Sequence, residues 1–136
     1  MSTSEPGAGT TSCRRFVVLE HSWNGVHWDL MLEQPGGGSL RTWALDSRPA
    51  AGADQAARPL PDHRVAYLDF VGEISGDRGV VRRLDRGTFR PLEWGDDRVV
   101  VELDGGQLVG PLGLWKTVAA APAEAGGWVF RLGNLD

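Results

Sequence analysis

The chain has 136 residues, with 14 Lys or Arg against 18 Asp or Glu, and so a net charge of −4. That length suits one domain with a core of its own, and the acidic balance argues against a protein that coats nucleic acid non-specifically; only a local basic patch is left open. No apolar run is long enough to span a membrane and no basic-then-apolar leader opens the chain, so the expectation is a cytoplasmic protein without a membrane partner; the lone Cys13 has no disulfide partner within the chain.

Residues 1–14, mostly Ser, Thr, Gly and Pro, read as a disordered tail, and 15–136 as a single domain. Strands are expected at about 15–21 and 26–34, followed by a turn at Pro35–Gly38. Ser39–Leu45 reads as a third strand, with Leu40, Thr42 and Ala44 on one face and Arg41, Trp43 and Leu45 on the other. From Asp46 to Asp62 the chain is rich in Ala, Pro and Gly, with at most a helical turn near Ala53–Ala57. Unstructured segments of that length inside a compact domain are often functional.

His63–Phe70 reads as the next strand, then Val71–Ile74 and a turn at Ser75–Asp77. Val80–Arg83 and Thr88–Leu92 look like a hairpin around Asp85-Arg86-Gly87, and Arg98–Leu103 and Gln107–Val109 like another around Asp104-Gly105-Gly106. Leu112–Thr117 and Trp128–Leu132 are the last strands, separated by a loop over Ala119–Gly127. Trp28, Trp43, Trp115 and Trp128 fall in strands and are expected in the core. Many short strands separated by turn signals, with no long helix, make the fold all-β. A compact antiparallel β-barrel of about eight or nine strands is the preferred form, because so many short strands need their edges closed.

The chemistry concentrates in His21–Glu33. From Val26 the pattern alternates: Val26, Trp28, Leu30 and Leu32 on one face, His27, Asp29, Met31 and Glu33 on the other. Two histidines and an aspartate on one hairpin offer three ligands for a divalent metal and leave positions open for substrate. The register decides whether they meet. A two-residue Asn24-Gly25 turn sends His21 to the Trp28 side, away from His27 and Asp29. A wider loop or a bulge pairs His21 with His27 and Leu19 with Asp29, and all three donors then share a face. Asn-Gly favours the narrow turn on local grounds; the clustering of ligand types favours the wide one.

Phe16-Val17-Val18-Leu19-Glu20-His21, five residues, then His27-Trp28-Asp29-Leu30-Met31-Leu32-Glu33, resembles the opening of the 3′-phosphoesterase domain of bacterial DNA ligase D, which also occurs free-standing. Leu40-Arg41-Thr42-Trp43-Ala44, Asp62-His63 through Tyr67-Leu68-Asp69-Phe70-Val71-Gly72, and in part Leu84-Asp85-Arg86-Gly87-Thr88 extend the similarity across residues 15–132. The resemblance tips the hairpin toward the wide register. It implies a compact β-barrel, a divalent metal (most plausibly manganese) on His21, His27 and Asp29, and contact of His63 and Tyr67 with the scissile phosphate. It also implies removal of a 3′-phosphate or terminal ribonucleoside from DNA or RNA ends, with a separate ligase or polymerase as partner.

Two departures bear on substrate. Leu19 stands where the family usually has Gln, and Met31 where it usually has the Arg that clamps phosphate. A guanidinium binds phosphate through two parallel hydrogen bonds and a full charge, and Met supplies neither. Arg41, Arg82 and Arg83 are the candidates to replace that charge. The basic region Arg78–Arg90 also reads as a solvated edge, with Arg82 and Arg86 pointing one way in a regular strand and Arg83 the other. Trp23, at the hairpin tip, is placed to stack on a base or sugar, or to pack back over the hairpin. A non-catalytic nucleic-acid or repair-protein binding module, and a hydrolase of a small phosphorylated metabolite, are the rival functions.

Overall fold

The computed structural model describes residues 14–73, 79–117 and 127–133. The expected disordered tail apart from Arg14, which belongs to the first strand, most of the 119–127 loop and the Ser75–Asp77 turn lie outside the described residues. Nine strands follow in order: β1 Arg14–Ser22, β2 Val26–Glu33, β3 Leu40–Leu45, β4 Asp54–His63, β5 Gly72–Glu73, β6 Val80–Trp94, β7 Arg98–Gly105, β8 Val109–Lys116 and β9 Trp128–Leu132. Eight form a closed antiparallel ring in the order β1-β2-β3-β4-β9-β8-β7-β6, with β6 returning to β1, while the short β5 pairs with the start of β6. Closure gives every strand of the ring two neighbours, as the strand count requires. The described residues contain no α-helix, only 3₁₀ turns at Pro35–Gly37 and Val65–Leu68.

The inward faces make the main core. Phe16 and Val18 of β1, Leu30 and Leu32 of β2, and Trp43 and Leu45 of β3 meet Phe89, Val101, Leu114 and Phe130 from across the ring. The outward face of β1, β2 and β6 is buried as well. Val17, Leu19, Met31, Leu40 and Val81 form a second apolar layer, roofed by Leu68, Val65, Tyr67 and Phe70 in and beside the second 3₁₀ turn. Strands covered on both faces lose their simple in-out alternation. That is why Met31, on the nominally polar face of β2, is 1% exposed.

Four sequence expectations are corrected. The stretch expected to be irregular between Asp46 and Asp62 contains β4, which joins β3 to β9. Only Ala57 of it is buried, so it carries no apolar period to read. Its prolines are tolerated because the β9 pairing covers only Asp54–Ala57, leaving one side of the strand unpaired at Pro59 and Pro61. The strand expected over His63–Phe70 is the end of β4 followed by the 3₁₀ turn. Asp85-Arg86-Gly87 is no turn but the middle of the 15-residue β6. Gly87 is there because the strands come close: a Cβ would lie 2.6 Å from Gly105 Cα and would also strike Asp104 O. Gln107–Val109 and Leu112–Thr117, read as two strands, are largely one, β8. Trp43 and Trp128 are core as expected and Trp28 packs against it, whereas Trp115 is half-buried and outside the interior cluster.

Candidate metal centre and substrate cavity

The β1–β2 hairpin takes the wide register. Ser22 pairs with Val26, His21 with His27 and Leu19 with Asp29, leaving Trp23-Asn24-Gly25 as the loop. Asn24 (φ 55°) and Gly25 (φ 109°) both turn left-handed, and Trp23 N–H donates to Gly25 O at 2.8 Å. Asn-Gly thus makes the turn, but inside a three-residue loop that keeps His21, His27 and Asp29 on one outward face.

The imidazoles of His21 and His27 meet edge to face with centroids 4.8 Å apart. His27 Nε2 lies 3.2 Å from Asp29 Oδ1, yet out of line for a hydrogen bond, so this oxygen is buried without any hydrogen-bond partner. Burial pushes the Asp29 carboxyl above its ordinary range, opposed by the nearby His27, His63 and His21. A desolvated acceptor left unsatisfied is costly and calls for an explanation. A cation supplies one. The donor atoms of His21, His27 and Asp29 lie within 4.8 Å of one another, whereas neighbouring donors bonded at about 2.1 Å to one tetrahedral or octahedral ion lie about 3.0–3.4 Å apart, so the side chains must draw together to complete the set. Two imidazoles and a carboxylate suit a divalent transition ion with open positions. The residues fit the group.

Two of the three donors, His21 and Asp29, open onto a cavity of about 220 Å³ whose other lining residues are Leu19, Trp23, Met31, His63, Tyr67 and Val81. His63 comes from the end of β4 and Tyr67 from the 3₁₀ turn, so the roof of the second apolar layer also carries the far wall of the cavity. His63 Nδ1 lies 2.8 Å from Pro61 O. A carbonyl only accepts, so Nδ1 bears the proton, and Nε2 is the atom left to engage a ligand. The rings of His63 and Tyr67 meet edge to face at 5.4 Å. Tyr67 packs with Phe70 and the second layer and also lines the cavity.

The three candidate cations separate. Arg41 points to the interior side of the ring, over the indoles of Trp43, Trp94 and Trp128 at 5.1, 5.4 and 6.0 Å, and donates to Asp96 O. It does not reach the cavity. Arg82 pairs opposite Glu20, 3.8 Å from its carboxylate, on the face that carries Trp28. Arg83 pairs opposite Leu19, two residues from Val81, and shares the cavity face. A β-bulge at Leu84, where Val18 meets Asp85 and Leu19 meets Arg83, shifts the alternation. Arg83 and Arg86 therefore share a face, contrary to the regular-strand expectation. Arg86 pairs with Asp69 at 3.2 Å; no ion pair or hydrogen bond engages Arg83 among the described residues.

Sequence reasoning passed over Val81 as a lining residue; its signal, the cross-strand pairing with His21, exists only once the ring is closed. No curated protein matches the chain. The family model for the DNA ligase D 3′-phosphoesterase domain matches residues 19–116, a span that runs from the first lining residue through β8 and takes in every side chain of the cavity. With more than half its length matched, the chain belongs to the DNA ligase D 3′-phosphoesterase domain family.

Proposed function

We propose that this chain, folded as one domain over 15–136, is a metal-dependent phosphoesterase that clears 3′-phosphates or 3′-ribonucleosides from DNA or RNA ends, with manganese held by His21, His27 and Asp29. The observation that carries the reading is the buried Oδ1 of Asp29, 3.2 Å from His27 Nε2 without a well-formed hydrogen bond, beside a second imidazole and in the residue set that faces the same cavity as His63 and Tyr67. The chemistry a divalent ion supplies in such a site is neutralisation of phosphoryl charge and activation of water as nucleophile. The protein supplies the rest. His63, fixed by its bond to Pro61 O, offers Nε2: as imidazolium it donates to a phosphoryl oxygen. Tyr67 brings a phenol to the same wall and holds the His63 ring edge-on. Arg83, on the cavity face, contributes the positive charge that Met31 does not.

The product, a 3′-hydroxyl, is what a polymerase extends or a ligase joins, so partners of those classes and a cytoplasmic setting are expected; no helix among the described residues is long and apolar enough to cross a membrane. One observation favours a small phosphorylated metabolite as substrate: the cavity floor of Leu19, Met31 and Val81 is apolar and the chain is acidic. The test is release of phosphate by the manganese-loaded protein from a primer-template ending in a 3′-phosphate, beside a His21→Ala control. Release by the native protein alone is the expected result. Stoichiometric metal without release moves the reading to a binding module or to the small-metabolite hydrolase, and release unaffected by His21→Ala sinks the site assignment.

A further inference from the structure

Trp23 is 46% exposed, an unusual state for the largest apolar side chain, yet it lines the same cavity as Asp29, His63 and Tyr67. Its backbone is held firmly. The left-handed Asn24 and Gly25 close the loop beneath it, and Gly79 at the entry to β6 packs so tightly that a Cβ there would lie 2.6 Å from Trp23 Cβ. Its indole is close to parallel with the imidazole of His21, 15° between planes and 6.3 Å between centroids. A solvent-facing indole on a closely packed turn thus stands at the mouth, beside a proposed metal ligand. The cavity, about 220 Å³, is below the roughly 300–1,000 Å³ of pockets that enclose whole drug-sized ligands. A phosphate and part of a sugar fill it, and whatever the sugar carries must lie at the mouth.

We propose that Trp23 is the platform on which the terminal nucleobase of the substrate stacks, so that the site recognises a nucleotide end and not phosphate alone. The inference deepens the phosphoesterase reading and rests on it for the placement of the phosphate. Stacking is the kind of contact an acidic chain can afford: it needs no net positive charge and tolerates any base, since every base has a π-face. It also accounts for a site with an apolar floor where a guanidinium clamp is expected, because affinity is moved from phosphate to base.

The test reads binding, not turnover. A short single-stranded DNA with a 5′ fluorophore and a 3′-hydroxyl, the reaction product, is titrated by fluorescence anisotropy beside the same strand ending in an abasic residue. Native protein is expected to bind the base-bearing end about ten-fold more tightly, Trp23→Ala to lose that factor while binding the abasic end as before, and Trp23→Phe to keep most of it. Equal loss on both strands, no loss on either, or no preference in the native protein overturns the proposal, as does failure to bind either strand. Trp23-dependent preference in a protein that releases no phosphate upholds the platform while sinking the phosphoesterase reading. Release of phosphate without base preference does the opposite.

Discussion

Replacing Asp29 by Asn separates the cost of the buried carboxylate from its use. The side chain is 6% exposed and its Oδ1 has no hydrogen bond, so in metal-free protein above the folded pKa its buried charge is a liability. The amide keeps the shape and drops the charge, and the metal-free variant is expected to be about 1 kcal/mol more stable than native. Because burial raises the Asp29 carboxyl above its unfolded value, the folded state binds the extra proton. Native stability therefore falls as pH rises from the unfolded value through the folded one, and the gap between variant and native opens over that window and is absent below it. Metal inverts the order. At a hundred-fold excess over Kd, binding adds about 2.7 kcal/mol, which for a domain of this size raises the native Tm by about 10 °C; the variant, short of its anionic ligand, gains only a small part of this. Differential scanning fluorimetry in manganese and in chelator reads both halves. A variant that keeps the whole manganese shift removes Asp29 from the ligand set, and a native protein with no shift removes the site.

Glu33 accepts three hydrogen bonds from Arg15, through the backbone N–H and two guanidinium nitrogens, at 2.9, 3.2 and 2.8 Å, and these hold its carboxyl below the ordinary range. Its contribution is present above the unfolded pKa and lost as pH falls through the lowered folded one, so Glu33→Gln is expected to cost about 1 kcal/mol in urea melts at pH 7 and progressively less in acid. An undiminished cost in acid would show that packing, not charge, is what Gln disturbs. Asp85, buried in β6, accepts the N–H groups of Gly106, Gln107 and Leu108 at 3.0, 3.0 and 2.7 Å and so caps the β7–β8 turn. Asp85→Ala leaves the N–H groups of Gln107 and Leu108 without an acceptor and Gly106 N–H with only Arg86 O at 3.3 Å, and is expected to cost about 2 kcal/mol or more, with Asp85→Asn recovering part of it; equal stability of Ala and Asn would refute the capping role.

The hairpin that carries the candidate metal ligands was legible in outline from the alternation after Val26 and the Asn-Gly turn, but its register was not: Asn-Gly pointed to the narrow turn, and the clustering of ligand types together with the family resemblance pointed to the wide one that forms. Closure of the sheet was legible from strand count. β4 was not, since a strand with one buried residue and two prolines is specified by its neighbours and leaves no periodic trace. Nor was the bulge at Leu84, which no residue type announces but which decides that Arg83, not Arg82, shares the cavity face. Asp85-Arg86-Gly87 misled for a physical reason: Asp and Gly mark turns, but here Asp85 caps someone else's turn and Gly87 makes room for Gly105. The second apolar layer was invisible because it is assembled by a 3₁₀ turn distant in sequence from β1 and β2, which it covers together with Leu40 of β3 and Val81 of β6.

Met31 joins these threads. It lies on the cavity face two residues beyond Asp29, opposite Val17, buried among the second layer but with its end on the cavity floor. An arginine there can lay its methylene stem along Leu19 and Val81 and bring its guanidinium up to the phosphate, at a cost to folding of about 1–3 kcal/mol for the altered packing. If the site lacks only a clamp, Met31→Arg should lower KM for a 3′-phosphate end by about ten-fold, as expected for a bidentate charged contact. Arg83 lies on the same face of the sheet, across Leu19 and outside the residues that line the cavity. Two cations serving one phosphate are partly redundant, so the gain from Met31→Arg should be larger in an Arg83→Ala background than in the native protein, and a double-mutant cycle measures the difference. Equal gains in both backgrounds would mean that Arg83 supplies nothing to the phosphate. The apolar floor would then be a true property of the site, and recognition would rest on the metal ligands, His63 and the indole at the mouth.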